Sequence, residues 1–299
     1  MIGGPVLALG EGMIEIAGPS GAMTQRFGGD VMNTAVYLAR LGTPVSFGTA
    51  LGCDPFSDEM LAMLSAEGVG VNEVHRDPAK LPGLYLIRTD AHGERRFTYW
   101  RSDSAARAFF RGDDVGARVA AMLAGAGVLY LSAITLSLLT DKGRAALAGV
   151  PSDFRASGGD VVLDTNYRPA GWPSREAAAT AMQDFGAAAT MALPTFDDDA
   201  LLFGDKTPED CAARWRGAGA RIVAVKCGAE GVFVSSDDGD VMVAPDRVVA
   251  PVDTTGAGDS FNAAFLAALH RGETARAAAA HGNALAGRVI AHPGAIIPR

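Results

Sequence analysis

The 299-residue chain is poor in the features that mark secreted and membrane-spanning proteins. It has only three cysteines, Cys53, Cys211 and Cys227, which lie far apart and form no CxxC pair. This spacing argues against a disulfide framework or a zinc cluster and indicates a reduced, intracellular chain. The first basic residue is Arg26 and no apolar run reaches membrane-spanning length, so neither a secretory signal nor a membrane helix is expected. We therefore expect a cytoplasmic protein.

Positive charge is scarce as well. The chain has 26 basic and 34 acidic residues and a formal net charge of −8, which argues against nucleic acid and anionic membranes as main partners. An acidic protein that binds anionic ligands must gather its cations locally. Several catalytic motifs are also absent: GxxxxGK[ST], HExxH and GxSxG do not occur, which excludes P-loop enzymes, common zinc proteases and common serine hydrolases.

The order of the predicted elements indicates an α/β protein. Short runs with β-branched residues, such as Val6–Leu9, alternate with alanine-rich segments of helical periodicity, such as 141–149 and 274–289, as in a parallel sheet covered by helices on both faces. Segments 12–27 and 84–101 read instead as extended pieces, the second broken by a turn at 90–93. We predict one domain over 1–299, with a mostly parallel sheet and a small β-sheet lid formed by about 12–27 and 84–101.

The run 253–260, DTTGAGDS, joins a small-residue turn, a helix start and a carboxylate. Gly256 and Gly258 can adopt positive φ, and apolar residues follow at helical spacing. Such a turn aims unpaired N–H groups at an anion, and Asp259 in the first helical turn can accept a proton from an attacking hydroxyl. The alternative is a helix start at which Asp259 only complements the dipole.

Two further glycine-containing segments are candidate ligand loops. In 28–33, GGDVMN, we expect Asp30 as an N-cap and expect Asp30 and Asn33 to bind hydroxyls, although a tight helix entry would need the same residues. In 226–231, KCGAEG, the glycines would let a loop approach a nucleotide, and Lys226 is either a phosphate contact or a structural lysine. A β-hairpin turn explains those glycines equally well.

Charged residues also follow predicted strands or end the hairpin. Arg101 ends the hairpin and Arg168 follows a strand, where segments leaving an open parallel sheet line the ligand crevice. A guanidinium there is suited to binding a carboxylate ligand. The alternative is that both arginines form ion pairs on the surface. The acidic cluster 197–199 could order water around Mg²⁺ or could consist of helix-start acids.

The combined motifs resemble the ribokinase-like (PfkB) carbohydrate kinase family over essentially the whole chain. GGDxxN at 28–33 and DTTGAGD at 253–259 resemble its two signature regions. Segments 81–85, 94–101, 166–169 and 294–299 resemble the 2-keto-3-deoxygluconate kinases within that family. The resemblance implies a Rossmann-like main domain with a β lid, ATP as donor and Mg²⁺ as helper. It also implies phosphorylation of 2-keto-3-deoxy-D-gluconate at its C6 hydroxyl.

The resemblance also implies roles for individual residues. Asp259 would be the catalytic base, beside an anion hole formed by Gly256, Ala257 and Gly258. Contacts to the sugar acid would come from Gly29, Asp30, Asn33, Tyr85, Tyr99, Arg101, Asn166, Arg168 and Asp259. The nucleotide would lie along Lys226, Gly228, Gly231, Gly256 and Gly258. Asp198 would act on Mg²⁺ through water, although Thr-Phe-Asp-Asp stands at 195–198 where relatives often carry Asn-x-x-Glu.

Two alternatives remain open from the sequence. One is another sugar kinase of the same fold, of the fructokinase or ribokinase type. The other is a catalytically silent sugar-acid sensor, against which the presence of Asp259 argues. Exposed lid strands offer edges that can pair between subunits, and we expect a homo-oligomer.

Overall fold

The computed structural model describes residues 2–18, 22–89 and 95–299. Its strands are β1 (Val6–Leu9), β2 (Met13–Ala17), β3 (Thr24–Gly28), β4 (Val45–Gly52), β5 (Val74–Asp77), β6 (Gly83–Thr89), β7 (Arg95–Trp100), β8 (Val128–Ser132), β9 (Asp160–Asp164), β10 (Met191–Ala192), β11 (Ile222–Lys226), β12 (Val232–Ser236) and β13 (Gly239–Val243). Its α-helices are α1 (Asp30–Arg40), α2 (Pro55–Ala66), α3 (Ala105–Arg111), α4 (Val115–Met122), α5 (Ala133–Leu138), α6 (Asp141–Leu147), α7 (Gly149–Ala156), α8 (Arg175–Gly186), α9 (Phe196–Phe203), α10 (Pro208–Ala218), α11 (Ala257–His270) and α12 (Ala275–Val289).

A nine-stranded sheet forms the centre of the protein, in the order β13-β12-β11-β10-β9-β8-β1-β4-β5. The strands from β5 to β11 in this order pair in parallel, and β12 and β13 add antiparallel at one edge. The carboxyl ends of the parallel strands therefore meet at one edge of the sheet, where a ligand crevice is expected. The predicted mostly parallel α/β sheet is confirmed.

Helices bury both faces of this sheet. Side chains alternate along each strand, so Val6 and Ala8 point into one hydrophobic core while Leu7 and Leu9 point into the other. Helices α1, α2, α11 and α12 contribute to the first core, and helices from α3 to α10 pack around the second. This two-faced burial explains why the strands read as continuous apolar runs in the sequence.

A separate four-stranded sheet has the order β3-β2-β6-β7. It forms from the two segments whose extended pattern did not fit the alternation of strands and helices. Strand β2 pairs in parallel with β6, and Tyr85 lies in register with Glu15 on one side and Tyr99 on the other. The predicted turn at 90–93 lies outside the described residues. None of the described helices combines the length and apolar character needed to cross a membrane.

Candidate active site

Asp259 lies in the first turn of α11, at the edge of the sheet where the parallel strands end. Its side chain is buried, with 9% of the residue exposed. The Asn33 side chain, on α1, donates a hydrogen bond from Nδ2 to Asp259 Oδ2 at 2.8 Å. The two signature segments, 226 residues apart in sequence, therefore meet through this bond.

The turn before α11 has the geometry of an anion-binding helix start. Gly256 has a φ of 76°, and a Cβ there would lie 2.8 Å from the carbonyl oxygen of Ala295, so a side chain is excluded by conformation and by space. The N–H groups of Gly258 and Asp259 belong to the first helical turn, where backbone donors lack intrahelical acceptors. They are available to an anion beside the Asp259 carboxyl group.

The surroundings of Asp259 make it an unusually strong base for a carboxylate. Burial, followed by repulsion from Asp30, raises the pKa of Asp259 well above its ordinary value. Asp164 adds to this rise, while the hydrogen bond from Asn33 and the charge of Lys226 oppose it. Burial likewise raises the pKa of Asp30. Asp164 and Asp259 thus share the buried ammonium group of Lys226.

Asp30 does not cap α1, so this prediction from the sequence is wrong. Gly29 precedes the helix, and no side chain caps the helix start. A Cβ on Gly29, whose φ is 155°, would lie 2.2 Å from the carbonyl oxygen of Glu11, so this position requires glycine. Asp30 is instead the first helical residue, and its Oδ2 accepts a hydrogen bond from Asn166 Nδ2 at 2.9 Å.

Lys226 is buried beneath the turn that begins α11. Its Nζ donates to Asp164 Oδ1 and to Asn262 Oδ1, both at 3.0 Å. A Cβ built on Gly258 would lie 3.8 Å from the same Nζ, so the ammonium group supports this turn from behind. The sequence left open whether Lys226 is a phosphate contact or a structural lysine. Its side-chain contacts are those of a structural lysine, and its charge still acts on the anion-binding turn.

A chain of hydrogen bonds extends from this lysine toward the base. Asn262 Nδ2 donates to the Tyr130 hydroxyl at 3.1 Å, which lies 3.2 Å from Thr34 Oγ1. Thr34 Oγ1 lies 3.2 Å from the carbonyl oxygen of Asp259. Asp164, Asn262, Tyr130 and Thr34 were not among the site residues predicted from the sequence. The position of Asp164 at the end of a buried strand was the one signal that could have found it.

The small sheet contributes aromatic residues. The Tyr85 hydroxyl donates to Glu15 Oε2 at 2.5 Å, and burial raises the pKa of Tyr85. The Tyr85 and Tyr99 rings lie 5.9 Å apart. A Cβ on Gly28 would lie 2.4 Å from the Tyr85 hydroxyl oxygen, which accounts for glycine at this position. Glu15 was another site residue that the sequence reasoning missed.

Each of the two predicted arginine anchors has an acidic neighbour. Arg101 forms an ion pair with the buried carboxylate of Glu11. Arg168 Nη1 donates to Asp198 Oδ2 at 2.9 Å and to its neighbour's carbonyl oxygen at 2.7 Å. The Arg168 side chain remains 57% exposed, so a large part of the guanidinium is open to a ligand. Burial raises the pKa of Asp198, and the charge of Arg168 opposes this rise.

The two glycines predicted to contact the nucleotide, Gly228 and Gly231, have different surroundings in the loop after β11. Gly228 has a φ of 56°, and a Cβ there would meet no atom within 4 Å, so its surroundings are open to a ligand. Gly231 has a φ of 104°, and a Cβ there would lie 2.2 Å from the carbonyl oxygen of Val243. Packing between β12 and β13 therefore explains Gly231 without a nucleotide.

One other acidic cluster resembles a metal site but is already occupied by an arginine. Carboxylate oxygens of Asp199 and Asp205 and the sulfur of Cys211 lie within 4.8 Å of one another. Arg214 Nη2 donates to both carboxylates, at 2.7 Å and 2.6 Å. The guanidinium therefore supplies the positive charge that a metal ion would bring, and the cluster joins α9 to α10.

Comparison with known proteins agrees with this fold and these motifs. The model of the pfkB family carbohydrate kinases matches residues 8–299. A 2-dehydro-3-deoxygluconokinase from Dickeya dadantii is 41% identical over 301 residues, covering 98% of this chain and 96% of that protein. A 2-dehydro-3-deoxygluconokinase from Escherichia coli K12 is 40% identical over 302 residues, covering 98% of this chain and 97% of that protein. The crystal structure of a PfkB protein from Polaromonas sp. JS666 matches with a TM-score of 0.86 and 29% identity, covering 96% of each chain.

The family model spans nearly the entire chain, and these relatives match it almost from end to end. The large sheet, the small second sheet and the hydrogen bond between the two signature segments agree with this match. This chain belongs to the pfkB family of carbohydrate kinases.

Proposed function

We propose that the protein transfers the γ-phosphoryl group of ATP to the C6 hydroxyl of 2-keto-3-deoxy-D-gluconate. The main supporting observation is the buried Asp259 carboxyl group in an anion-binding helix start, bonded to Asn33 of the other signature segment. The names of the relatives from Dickeya dadantii and Escherichia coli support the same substrate. The geometry and these names favour a sugar-acid kinase over a kinase of another class.

The chemistry requires a base, a stabilised anion and correct positioning. Asp259 accepts the proton of the C6 hydroxyl as that oxygen bonds to the γ-phosphorus, and the bond to the β-phosphate oxygen breaks to release ADP. The N–H groups of Gly258 and Asp259 stabilise the negative charge on the transferring group. The buried ammonium of Lys226 lies behind the same turn and adds to that stabilisation.

The sugar acid would lie between the small sheet and the strand ends. The Oδ1 atom of Asn33 is buried and has no hydrogen-bond partner among the described residues, so a sugar hydroxyl can donate to it. Tyr85 and Tyr99 form an aromatic surface for the carbon chain. Arg101 and the exposed part of Arg168 would bind the carboxylate.

We place ATP across the Gly228 loop and the start of α11, with its base toward α12. A groove of about 340 Å³ lies between residues 244–249 and α12. Its α12 side is lined by the small residues Ala280, Ala284 and Gly287, which leave room for a flat base, and by Asn283. A fructokinase from Xylella fastidiosa with the same fold has been solved with bound ATP, with a TM-score of 0.81.

Asp198 fits a water-mediated role toward Mg²⁺. One of its oxygens accepts from Arg168, and within the described residues its other oxygen has no hydrogen bond. Mg²⁺ keeps several waters and needs few protein ligands, so a single carboxylate that orders its water shell is sufficient. When bound, the ion would neutralise charge on the ATP phosphates.

We also propose that the small sheet, within one domain spanning 1–299, acts as a lid and that the protein is a homo-oligomer. Phe97 and Trp100 are large aromatic residues of β7 that remain 46% and 58% exposed. A second copy would cover such a surface. Measuring the oligomeric state of the wild type and of Trp100→Arg by sedimentation tests the assembly. A monomeric wild type would contradict it.

A coupled ADP-release assay with a panel of sugar acids and ketoses tests the reaction. Turnover confined to 2-keto-3-deoxy sugar acids supports the proposal, and absence of ADP release with all of them contradicts it. A fructokinase-type enzyme is the second candidate, because Asp198 already partly neutralises Arg168. Full activity of Arg168→Ala would favour that candidate. Calorimetric binding of the sugar acid without transfer would indicate a sensor.

A further inference from the structure

Glu11 connects the large domain to the small sheet at the point where Arg101 leaves β7. It follows β1 and is almost completely buried, with 3% of the residue exposed. Its Oε1 accepts a hydrogen bond from Ser104 Oγ at 2.5 Å, and its Oε2 pairs with Arg101. A Cβ built on Gly83, the first residue of β6, would lie 3.0 Å from Glu11 Oε1. One carboxylate therefore contacts both the start of β6 and the residue that follows β7.

The position of this carboxylate is fixed by its own backbone. The Glu11 carbonyl oxygen packs against Gly29 so closely that a side chain on Gly29 would clash at 2.2 Å. Ser104, which also accepts a hydrogen bond from the N–H group of Arg107 at 3.2 Å, holds the other end of the side chain. Glu11 is thus a rigid partner for a long and flexible arginine.

Arg101 retains unused hydrogen-bonding capacity in this arrangement. Its Nη2 pairs with Glu11 Oε2, whereas its Nε is buried and makes no hydrogen bond within the described part of the chain. The ion pair with Glu11 is its one charge contact there. A guanidinium held at one edge by a fixed carboxylate can present its remaining donors to a second carboxylate.

Arg107 and Arg111 bring further positive charge near the pair of Glu11 and Arg101. Burial, followed by the charges of Arg111 and Arg101, lowers the pKa of Arg107, while Glu11 opposes this change. Three guanidinium groups therefore act near one carboxylate.

We propose that Glu11 is a positioning residue that orients Arg101 toward the carboxylate of the sugar acid and thereby sets the preference for an acidic substrate. This inference rests on the proposed function. In it, Glu11 does not touch the substrate and takes no part in proton transfer. Its removal should weaken binding of the sugar acid and leave the transfer step and ATP binding nearly unchanged.

Glu11→Gln tests this role, because glutamine keeps the size of the side chain and an acceptor for Ser104 but removes the charge. The KM for the sugar acid should rise about tenfold, while kcat and the KM for ATP stay within about threefold. The double variant with Arg101→Ala should bind the sugar acid no more weakly than Arg101→Ala alone, because the two residues act together. An unchanged or lowered KM in Glu11→Gln would overturn the proposal, as would fully additive effects.

Asp160→Asn is the matched control. Asp160 is another buried carboxylate paired with an arginine, Arg221, but it lies at the start of β9, away from the strand ends that form the site. Its loss should lower the melting temperature without raising the KM, so an equal KM increase in both variants would contradict a specific role for Glu11. If Glu11→Gln does not fold, Ser104→Ala, which releases Glu11 Oε1, replaces it. That variant should raise the KM about two- to fivefold, and an unchanged KM would overturn the proposal.

Assays of the wild-type enzyme distinguish a failure of the proposed function from a failure of the proposed role of Glu11. Lack of wild-type turnover on the sugar acid would refute the proposed function. Normal wild-type turnover together with an unaltered Glu11→Gln enzyme would refute only the role of Glu11.

Discussion

Replacing Asp259 by asparagine separates its chemical role from its effect on stability. Asparagine has the same shape and keeps an oxygen that can accept the hydrogen bond from Asn33, so the local packing should persist. It cannot accept the proton of the attacking hydroxyl. General-base catalysis contributes about 10²–10⁴-fold in rate, and we expect kcat to fall by that factor, or by about 3–5 kcal/mol in activation free energy.

The same change should stabilise the folded protein at neutral pH. The pKa of Asp259 is raised in the folded state by burial and by Asp30. A carboxyl group of this kind binds its proton more tightly when folded, so its contribution to stability decreases as the pH rises from the unfolded pKa through the folded pKa. Asparagine carries no charge at any pH and removes this penalty, so the melting temperature should rise above pH 6.

Initial-rate kinetics and thermal denaturation from pH 5 to 9 measure both effects. The wild-type kcat should increase with pH through an apparent pKa above the ordinary carboxyl range, a value that belongs to the coupled pair Asp30 and Asp259. A melting temperature that falls in Asp259→Asn would refute the electrostatic reasoning. A kcat within tenfold of the wild type would refute the assignment of the base.

Three further changes test other parts of the site. Lys226→Met leaves Asp164 buried without its cation and should cost about 3–5 kcal/mol in the free energy of unfolding, measured by urea denaturation. A stability loss below about 1 kcal/mol would contradict this ion pair. Gly256→Ala forces a side chain against Ala295 in a left-handed conformation, which should cost about 1–2 kcal/mol and lower kcat more than it raises either KM. Normal kcat in that variant would contradict the anion-binding role of the turn. Arg168→Ala should raise the KM for the sugar acid with a smaller effect on kcat, and equal losses on acidic and neutral sugars would exclude a carboxylate contact.

Sequence patterns were sufficient for apolar strands and for long helices. The strand predicted at Val6–Leu9 has those bounds, and α12 begins after Thr274, whose hydroxyl caps the helix as its residue type indicates. Several short helices were missed. Helix α5 has six residues and α3 has seven, too few for a helical period to stand out.

The predicted helix over 141–149 is in fact two helices. Helix α6 ends at Leu147, and α7 begins at Gly149, two residues before Pro151. Proline favours the first turn of a helix and breaks the interior of one, so its position marks a new helix start. The apolar spacing continues across this break, so the proline is the signal in the sequence that separates the two helices.

Side-chain partners in the site could not be predicted from local sequence. Lys226 binds Asp164 and Asn262, which are 62 and 36 residues away, and the packing of β9, β11 and α11 brings them together. Glu11 meets Ser104 across 93 residues in the same way. The motifs indicated which residue types are present, whereas the fold determines that Asp30 contacts Asn166 instead of capping α1.

The most direct test of the proposed reaction is identification of the product. The purified protein is incubated with ATP, Mg²⁺ and 2-keto-3-deoxy-D-gluconate, and the mixture is followed by ³¹P NMR and mass spectrometry. One sugar-acid monophosphate, esterified at C6, should form in equal amount to ADP. ADP with free phosphate, or a phosphate on a different hydroxyl, would contradict it.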